Sequence, residues 1–167
     1  MKLKYFLLFF ALLSFISAIS QQKSSINWAK FLSRNDMVYD TLRTEWSDGI
    51  FTGNGMLGTM LYMKDSNNLR LEVGRVDVVD HRGDSISPLY AKARLPIGHF
   101  VVRPAGRILK NTARLDLWNA EARGTVVTTV GSIQWRMLTI SQTDVIVFET
   151  TTTGAESPKL EFLPEIS

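Results

Sequence analysis

Cysteine is absent from this sequence of 167 residues, and only two histidines occur, His81 and His99. Without cysteine the fold cannot be held by disulfide bonds, and thiol chemistry is excluded. The two histidines are far apart in the sequence and neither has a second histidine four positions away, so the paired-histidine zinc motif is missing. A phosphate-binding Gly-x-x-x-x-Gly-Lys and a nucleophilic Gly-x-Ser-x-Gly are missing as well. The sequence therefore carries no catalytic signature.

Long apolar runs are also missing, except for one at the N-terminus. There Lys2 and Lys4 precede a run of about 15 mostly apolar residues, shorter than the ~20 that a membrane-spanning helix needs. Ala18-Ile19-Ser20 places small residues at the −3 and −1 positions of a cleavage site. This order predicts a secretory signal peptide over residues 1–20, and hence a secreted or periplasmic protein with no membrane association after cleavage. A membrane anchor is the weaker alternative.

Little net charge remains once that segment is set aside. The formal net charge of the chain is +3 and includes Lys2 and Lys4, which leaves +1 for residues 21–167. A nearly neutral surface argues against a nucleic-acid partner bound through its phosphates. The remaining length predicts one domain with a core of its own, and not two.

The first element predicted after the signal peptide is a short helix. Trp28, Phe31 and Leu32 stand at i, i+3 and i+4 behind cap-type residues, so we expect the helix to pack its apolar side on a sheet. Residues 37–44 are interpreted as an irregular connection.

From Leu57 onward the pattern is typical of β-strands. Leu57 to Met63 predicts a strand, and the turn cluster at residues 65–68 predicts that a second strand pairs back as a hairpin over residues 69–79. The apolar alternation of that second strand changes phase at Gly74, which indicates a β-bulge there.

Further strands follow at short spacing. We predict them at residues 97–103, 107–109, 113–117, 124–130, 133–140 and 144–152, with a turn at Gly131-Ser132. The last of these has apolar residues on both faces, which is typical of a central strand. Strands and turns at this spacing, with one short N-terminal helix, predict an all-β, antiparallel β-sandwich. Residues 160–167 begin another alternation and stop, so we expect the sandwich over residues 21–167 to be incomplete at its C-terminal end.

The stretch from Glu45 to Met63 is the one around which the rest of the sequence is organised. Gly53-Asn54-Gly55 predicts a tight turn at the rim of a sheet, since glycine and asparagine tolerate positive φ. Gly58 falls inside the following strand, where a missing side chain indicates a bulge or the close approach of another segment.

This stretch resembles the opening of the β-sandwich domain that precedes the helical catalytic barrel in glycoside hydrolase family 95 (α-fucosidase-type) proteins. It is more similar to the N-terminal part of a bacterial family known as domain of unknown function 5703. Arg43 departs from that pattern, which has a proline there. The matching positions are Trp28, Phe31, Leu32, Trp46, Phe51 to Gly58, and Asp80-His81-Arg82. The resemblance implies a glycoside-hydrolase-like parent protein, with a helical barrel downstream that carries the catalytic acid–base pair.

One acidic cluster has the residue types of a binding site. Asp77, Asp80, His81 and Asp84 are interpreted either as an oxygen-rich site for calcium or sugar hydroxyls, or as a solvated loop in which Asp80 caps its own turn and Arg82 pairs nearby. The EF-hand spacing is absent, so no metal or other cofactor is assigned.

Glycosidases need two carboxyl groups about 5 to 10 Å apart. Glu72, Asp77 and Asp80 match this requirement by residue type alone, and the resemblance places the catalytic pair in the barrel. We therefore expect no catalysis from this chain by itself.

Tryptophans offer flat faces to sugar rings. Trp46 and Trp118 are candidates, whereas Trp135 alternates with Ile133 and Met137 and is predicted to lie in the core. Trp46 stands in a polar loop, where a contact at the rim and a structural plug are both open interpretations.

The predicted hairpin places the candidate residues for contacts with a carbohydrate or a neighbouring domain. One group precedes its first strand and the other follows its second strand, so both are expected at one rim of the sandwich. The candidates are Trp46, Asp48, Asn54, Asp77, Asp80, His81 and Arg82. We also expect His81 to be partly exposed and His99 to be the more buried.

Two functions follow from these expectations. The first is an N-terminal β-sandwich that packs on a helical barrel and shapes a carbohydrate cleft in a glycoside-hydrolase-like protein. The alternative is a free-standing carbohydrate-binding module without catalysis.

Overall fold

A computed structural model of the chain describes residues 26–83, 85–86 and 94–165. Two antiparallel sheets of five strands each form a β-sandwich, which confirms the predicted all-β fold. The predicted signal peptide at residues 1–20 lies outside the described residues, and so does Asp84.

The elements follow one another with short connections. The helix α1 spans Trp28–Leu32, and two single 3-10 turns span Ser33–Asn35 and Trp46–Asp48. The strands in chain order are β1 (Met37–Tyr39), β2 (Ile50–Gly53), β3 (Leu57–Met63), β4 (Leu69–Arg75), β5 (Gly98–Arg103), β6 (Ile108–Asp116), β7 (Glu121–Thr128), β8 (Gly131–Thr139), β9 (Ile146–Gly154) and β10 (Lys159–Pro164). The first sheet has the order β1-β6-β7-β8-β9, and the second has the order β10-β5-β4-β3-β2.

The core lies between the two sheets and follows from the period-two alternation of the strands. On β3, Leu57, Thr59 and Leu61 are buried and point inward, while the residues between them face outward. Polar contacts cross the core as well, because the Thr59 hydroxyl lies 3.2 Å from the sulfur of Met137 on β8. The two sheets are therefore joined by both apolar packing and hydroxyl contacts.

The predicted helix forms, but its predicted packing on a sheet was wrong. Asn27 caps it, since its side-chain oxygen accepts a 2.9 Å hydrogen bond from the backbone N–H of Lys30. None of its residues is buried, and the rings of Trp28 and Phe31 contact each other edge to face with centroids 5.8 Å apart. The i, i+3, i+4 spacing thus produced an aromatic pair on the surface of the helix.

The structure adds one strand to the predicted set and joins two predicted strands into one. The predicted connection at residues 37–44 contains β1, which pairs with β6 through Met37 and Leu115. The two short strands predicted at 107–109 and 113–117 are one strand, β6, with a register irregularity between Ile108 and Lys110. The β7–β8 turn lies at residues 129–130, so Gly131 begins β8 and does not form the turn.

The bulge predicted at Gly74 is absent. The hairpin of β3 and β4 keeps one register throughout, from Met63 opposite Leu69 to Leu57 opposite Arg75. The apolar phase changes after Gly74 because the strand ends at Arg75 and the chain turns there, not because a residue is inserted.

The strand predicted to be central, β9, lies at the edge of its sheet. Its second half is exposed and consists of Thr150, Thr151, Thr152 and Thr153 before Gly154. A run of threonines suits an edge, since the hydroxyl groups are solvated while the β-branched carbon keeps the strand extended.

A buried carboxylate joins three turns at one end of the sandwich. The carboxylate of Glu156 accepts hydrogen bonds from the Ala105 N–H at 2.6 Å and the Thr128 hydroxyl at 2.6 Å, with the Gly106 N–H at 3.3 Å. Burial acts to raise the pKa of Glu156, but the hydrogen bonds from Thr128 and from the backbone outweigh burial and hold that pKa below its usual value.

Candidate functional site

Three glycines lie side by side across the second sheet. Gly53 on β2 pairs with Gly58 on β3, and Gly58 pairs with Gly74 on β4. All three positions face outward, away from the core, so the sheet carries no side chains along this row. Since neighbouring strands are about 4.8 Å apart, the bare strip is about 10 Å long.

Residues two positions away along the chain on either side form the two walls of this strip. One wall consists of Phe51, Met60 and Glu72, which are cross-strand neighbours of one another. Two residues to the other side stand Gly55, Met56 and Val76, and the Val76 N–H donates a 3.0 Å hydrogen bond to the Met56 carbonyl. The two walls are about 13 Å apart, because they are separated by four residues along a strand. We refer to the space between them as the glycine groove.

Trp46 lines the glycine groove from the 3-10 turn before β2. That turn lies against the sheet, since a β-carbon added to Gly49 would be 2.5 Å from the Met60 Cγ. Trp46 is nevertheless 66% exposed. The groove has a volume of about 740 Å³, and Leu95 and Pro96 also line it.

The polar end of the glycine groove is formed by Glu72. Its Oε1 accepts a 2.7 Å hydrogen bond from the Tyr62 hydroxyl and lies 2.6 Å from the Arg70 Nε. Burial and the hydrogen bond to Glu72 raise the pKa of Tyr62 to about 12, so this hydroxyl remains a donor at neutral pH.

The same network continues across the outer face of the sheet. Arg70 also contacts Glu165, with its NH2 group 3.1 Å from Oε1, and that oxygen is 3.3 Å from the Nδ1 of His99. His99 pairs with Glu72 between β4 and β5 and is buried, whereas His81 is exposed. The predicted difference between the two histidines is confirmed.

The side chain of Asn54 is engaged by the fold. Its side-chain oxygen accepts hydrogen bonds from the N–H groups of Met56 and Leu57, at 3.0 and 2.8 Å. Its amide donates to the carbonyls of Ile140 and Thr143, at 2.9 and 2.8 Å, in the β8–β9 connection of the other sheet. Its donors and acceptor are therefore engaged by the protein itself.

Asp77 and Asp80 each form an ion pair with an arginine two residues away. Asp77 lies 2.6 Å from Arg75, which also contacts Asp144 at 2.7 Å. The fully buried Asp80 accepts hydrogen bonds from both the backbone and the guanidinium of Arg82, as in the interpretation of a loop that caps its own turn. In the described ranges, no three Asp, Glu or His side chains are grouped as metal ligands.

The predicted convergence on one rim was wrong for Trp46 and Asp48, which belong to one 3-10 turn before β2. Asn54 and Asp80 both lie beyond the end of the hairpin where Leu57 pairs with Arg75. Asp48 precedes β2 at the opposite end, 3.9 Å from Arg43. Of the predicted candidates, Trp46 lines the glycine groove.

Sequence analysis singles out Glu72 and the stretch from Phe51 to Gly58 but misses their alignment into one groove, although a signal for that alignment exists. A hairpin whose closing pair is Met63 and Leu69 must place Gly58 opposite Gly74 and Met60 opposite Glu72, if no bulge intervenes. The change of apolar phase at Gly74, which is typical of a bulge, conceals this alignment.

Comparisons with known proteins add no relative. No protein-family model matches the sequence, and a comparison with curated proteins found no match. The resemblance to sandwiches of glycoside-hydrolase-like proteins thus stays a prediction based on motif residues. Within the part of the chain that the structure describes, none of the helices is long and apolar enough to cross a membrane.

Proposed function

We propose that this chain is a non-catalytic, carbohydrate-binding β-sandwich of a secreted, glycoside-hydrolase-like protein, and that the sugar lies in the glycine groove. The observation that carries the proposal is the bare glycine strip beside the exposed rings of Trp46 and Phe51, with Glu72 at its end. A flat strip lets a pyranose ring approach the sheet, aromatic faces stack on its C–H groups, and a carboxylate accepts hydrogen bonds from its hydroxyls.

Calorimetric titration with a panel of oligosaccharides tests this proposal. We expect Trp46→Ala to weaken binding about tenfold, because the main stacking surface is lost. Trp118→Ala is the matched control, since Trp118 is 51% exposed on the β6–β7 turn and does not line the groove. Absence of binding to every sugar, or equal losses for the two variants, would refute the proposal.

A second candidate function is the docking of an α-helix from a neighbouring domain. The observation that favours it is the row of glycines between two walls, since the missing side chains let a helix approach the sheet closely. The walls are largely apolar, with Met56, Met60 and Val76 among them. Such grooves commonly bind amphipathic helices.

Co-expression with the reading frame immediately downstream tests this second candidate. If that frame encodes a helical domain that docks in the groove, the two products co-purify and Gly58→Trp separates them. A complex that withstands Gly58→Trp would show that the helix docks elsewhere.

A further inference from the structure

Glu72 has one engaged oxygen and one that is available to a ligand. Tyr62 and Arg70 both contact Oε1. Among the described residues, Oε2 has no hydrogen-bond partner, although Glu72 is only partly exposed and lines the glycine groove. A half-satisfied carboxylate at the end of a groove requires a donor, from water or from a ligand.

The charge around Glu72 is negative. Arg70 supplies one positive charge to two carboxylates, Glu72 and Glu165, so these three side chains together carry a net negative charge. Two arginines line the groove away from Glu72: Arg75 is engaged by Asp77 and Asp144, and Arg94 pairs with Val79, four residues beyond Arg75. The negative charge is therefore confined to the end of the groove that Glu72 forms.

Resting on the carbohydrate-binding function proposed above, we infer that Glu72 is the specificity-determining residue of the glycine groove. Its Oε2 accepts hydrogen bonds from the hydroxyl groups of a neutral sugar, and its charge rejects a carboxylate or sulfate group placed at this end of the groove. A carboxylate accepts but does not donate, so the matching ligand group must be a donor such as a hydroxyl. An anionic substituent at the same distance meets like-charge repulsion in a partly desolvated site.

Tyr62 fixes the orientation that this role requires. Its hydroxyl holds Oε1 at 2.7 Å, and Tyr62 itself is buried, so the carboxylate has little freedom to rotate. Hydrogen bonds to an ionised acceptor are about twice as strong as neutral ones, which makes a fixed carboxylate an effective contact for hydroxyls.

The test compares each acidic oligosaccharide with its carboxyl-reduced form, which has the same linkages but no charge. We expect the wild-type protein to bind the neutral form at least about tenfold more tightly. Glu72→Gln should weaken binding of the neutral form about tenfold and remove the preference for the neutral over the acidic form. The comparison of the two sugar forms on wild-type protein needs no variant, so the test stands even if Glu72→Gln destabilises the fold.

The outcomes separate the two proposals. Equal or tighter binding of the acidic form, still lost in Trp46→Ala, would overturn the role of Glu72 and leave the carbohydrate groove intact. An affinity for the neutral sugar that is unchanged in Glu72→Gln would also overturn the role of Glu72. If no sugar binds, or if binding does not depend on Trp46, the proposed function fails and the role of Glu72 fails with it.

Discussion

The side-chain amide of Asn54 lies 2.8 Å from the carbonyl oxygen of Thr143, and this contact joins the two sheets of the sandwich. The same amide donates to Ile140 at 2.9 Å, while the Asn54 oxygen closes its own turn through Leu57. Nearby, Arg75 contacts Asp144 at 2.7 Å. The β8–β9 connection is thus tied to the start of β3 and the end of β4.

We expect Asn54→Ala to lower the free energy of unfolding by roughly 2–3 kcal/mol, because it leaves two carbonyls and two N–H groups without partners. Urea denaturation measures this loss. Asn27→Ala, which removes only an exposed helix cap, is the control and should cost about 1 kcal/mol or less. An unfolding midpoint unchanged in Asn54→Ala would mean that water replaces the hydrogen bonds of the Asn54 side chain.

Gly58 should tolerate a side chain, contrary to the close approach predicted from the sequence. A β-carbon there meets one atom within 4 Å, the Thr52 carbonyl oxygen at 3.6 Å, which is ordinary contact. Gly58→Val should therefore change stability by less than about 1 kcal/mol, since valine suits a strand. It should also fill the glycine groove and abolish sugar binding.

Gly124 provides the contrast. A β-carbon there would lie 2.3 Å from the Thr112 carbonyl oxygen and 2.5 Å from the ring of Trp135. Gly124→Ala should cost about 1–3 kcal/mol or more through overpacking, measured by thermal unfolding. Equal melting temperatures for Gly58→Ala and Gly124→Ala would contradict both predictions.

The stability that Glu156 contributes should depend on pH. Its pKa is lowered in the folded state, so its contribution is present above the unfolded pKa of about 4.3 and is lost as the pH falls through the folded value. Wild type should melt at a higher temperature than Glu156→Gln at pH 7, and the difference should narrow below about pH 4. A difference that stays constant from pH 7 to pH 3 would show that the charge of Glu156 plays no part.

The chain itself should not hydrolyse glycosides. Hydrolysis requires a protonated carboxyl group together with a carboxylate, whereas Glu72 and Glu165 share Arg70 as a cationic partner. Assays with aryl-glycosides should give no turnover above background. Turnover that disappears in Glu72→Gln would contradict this prediction.

Local sequence determined much of the fold. The bounds of β3, the turn at residues 65–68 and the return strand follow from alternation and turn residues, which act over a few positions. The buried His99 and the exposed His81 follow in the same way, because one lies within a strand and the other in a loop.

The tertiary structure determined features of the fold that the apolar alternation along a single strand does not encode. The apolar residues of β9 predict a central strand, yet whether a strand has one neighbour or two depends on long-range pairing. The glycine groove arises because β2, β3 and β4 align Gly53, Gly58 and Gly74 in one row. The hydrogen bond between the two sheets arises because Asn54 meets Thr143 in the β8–β9 connection. Both join residues that are distant in the sequence, so cross-strand register and sheet packing placed them, and the periodicity of a single strand did not.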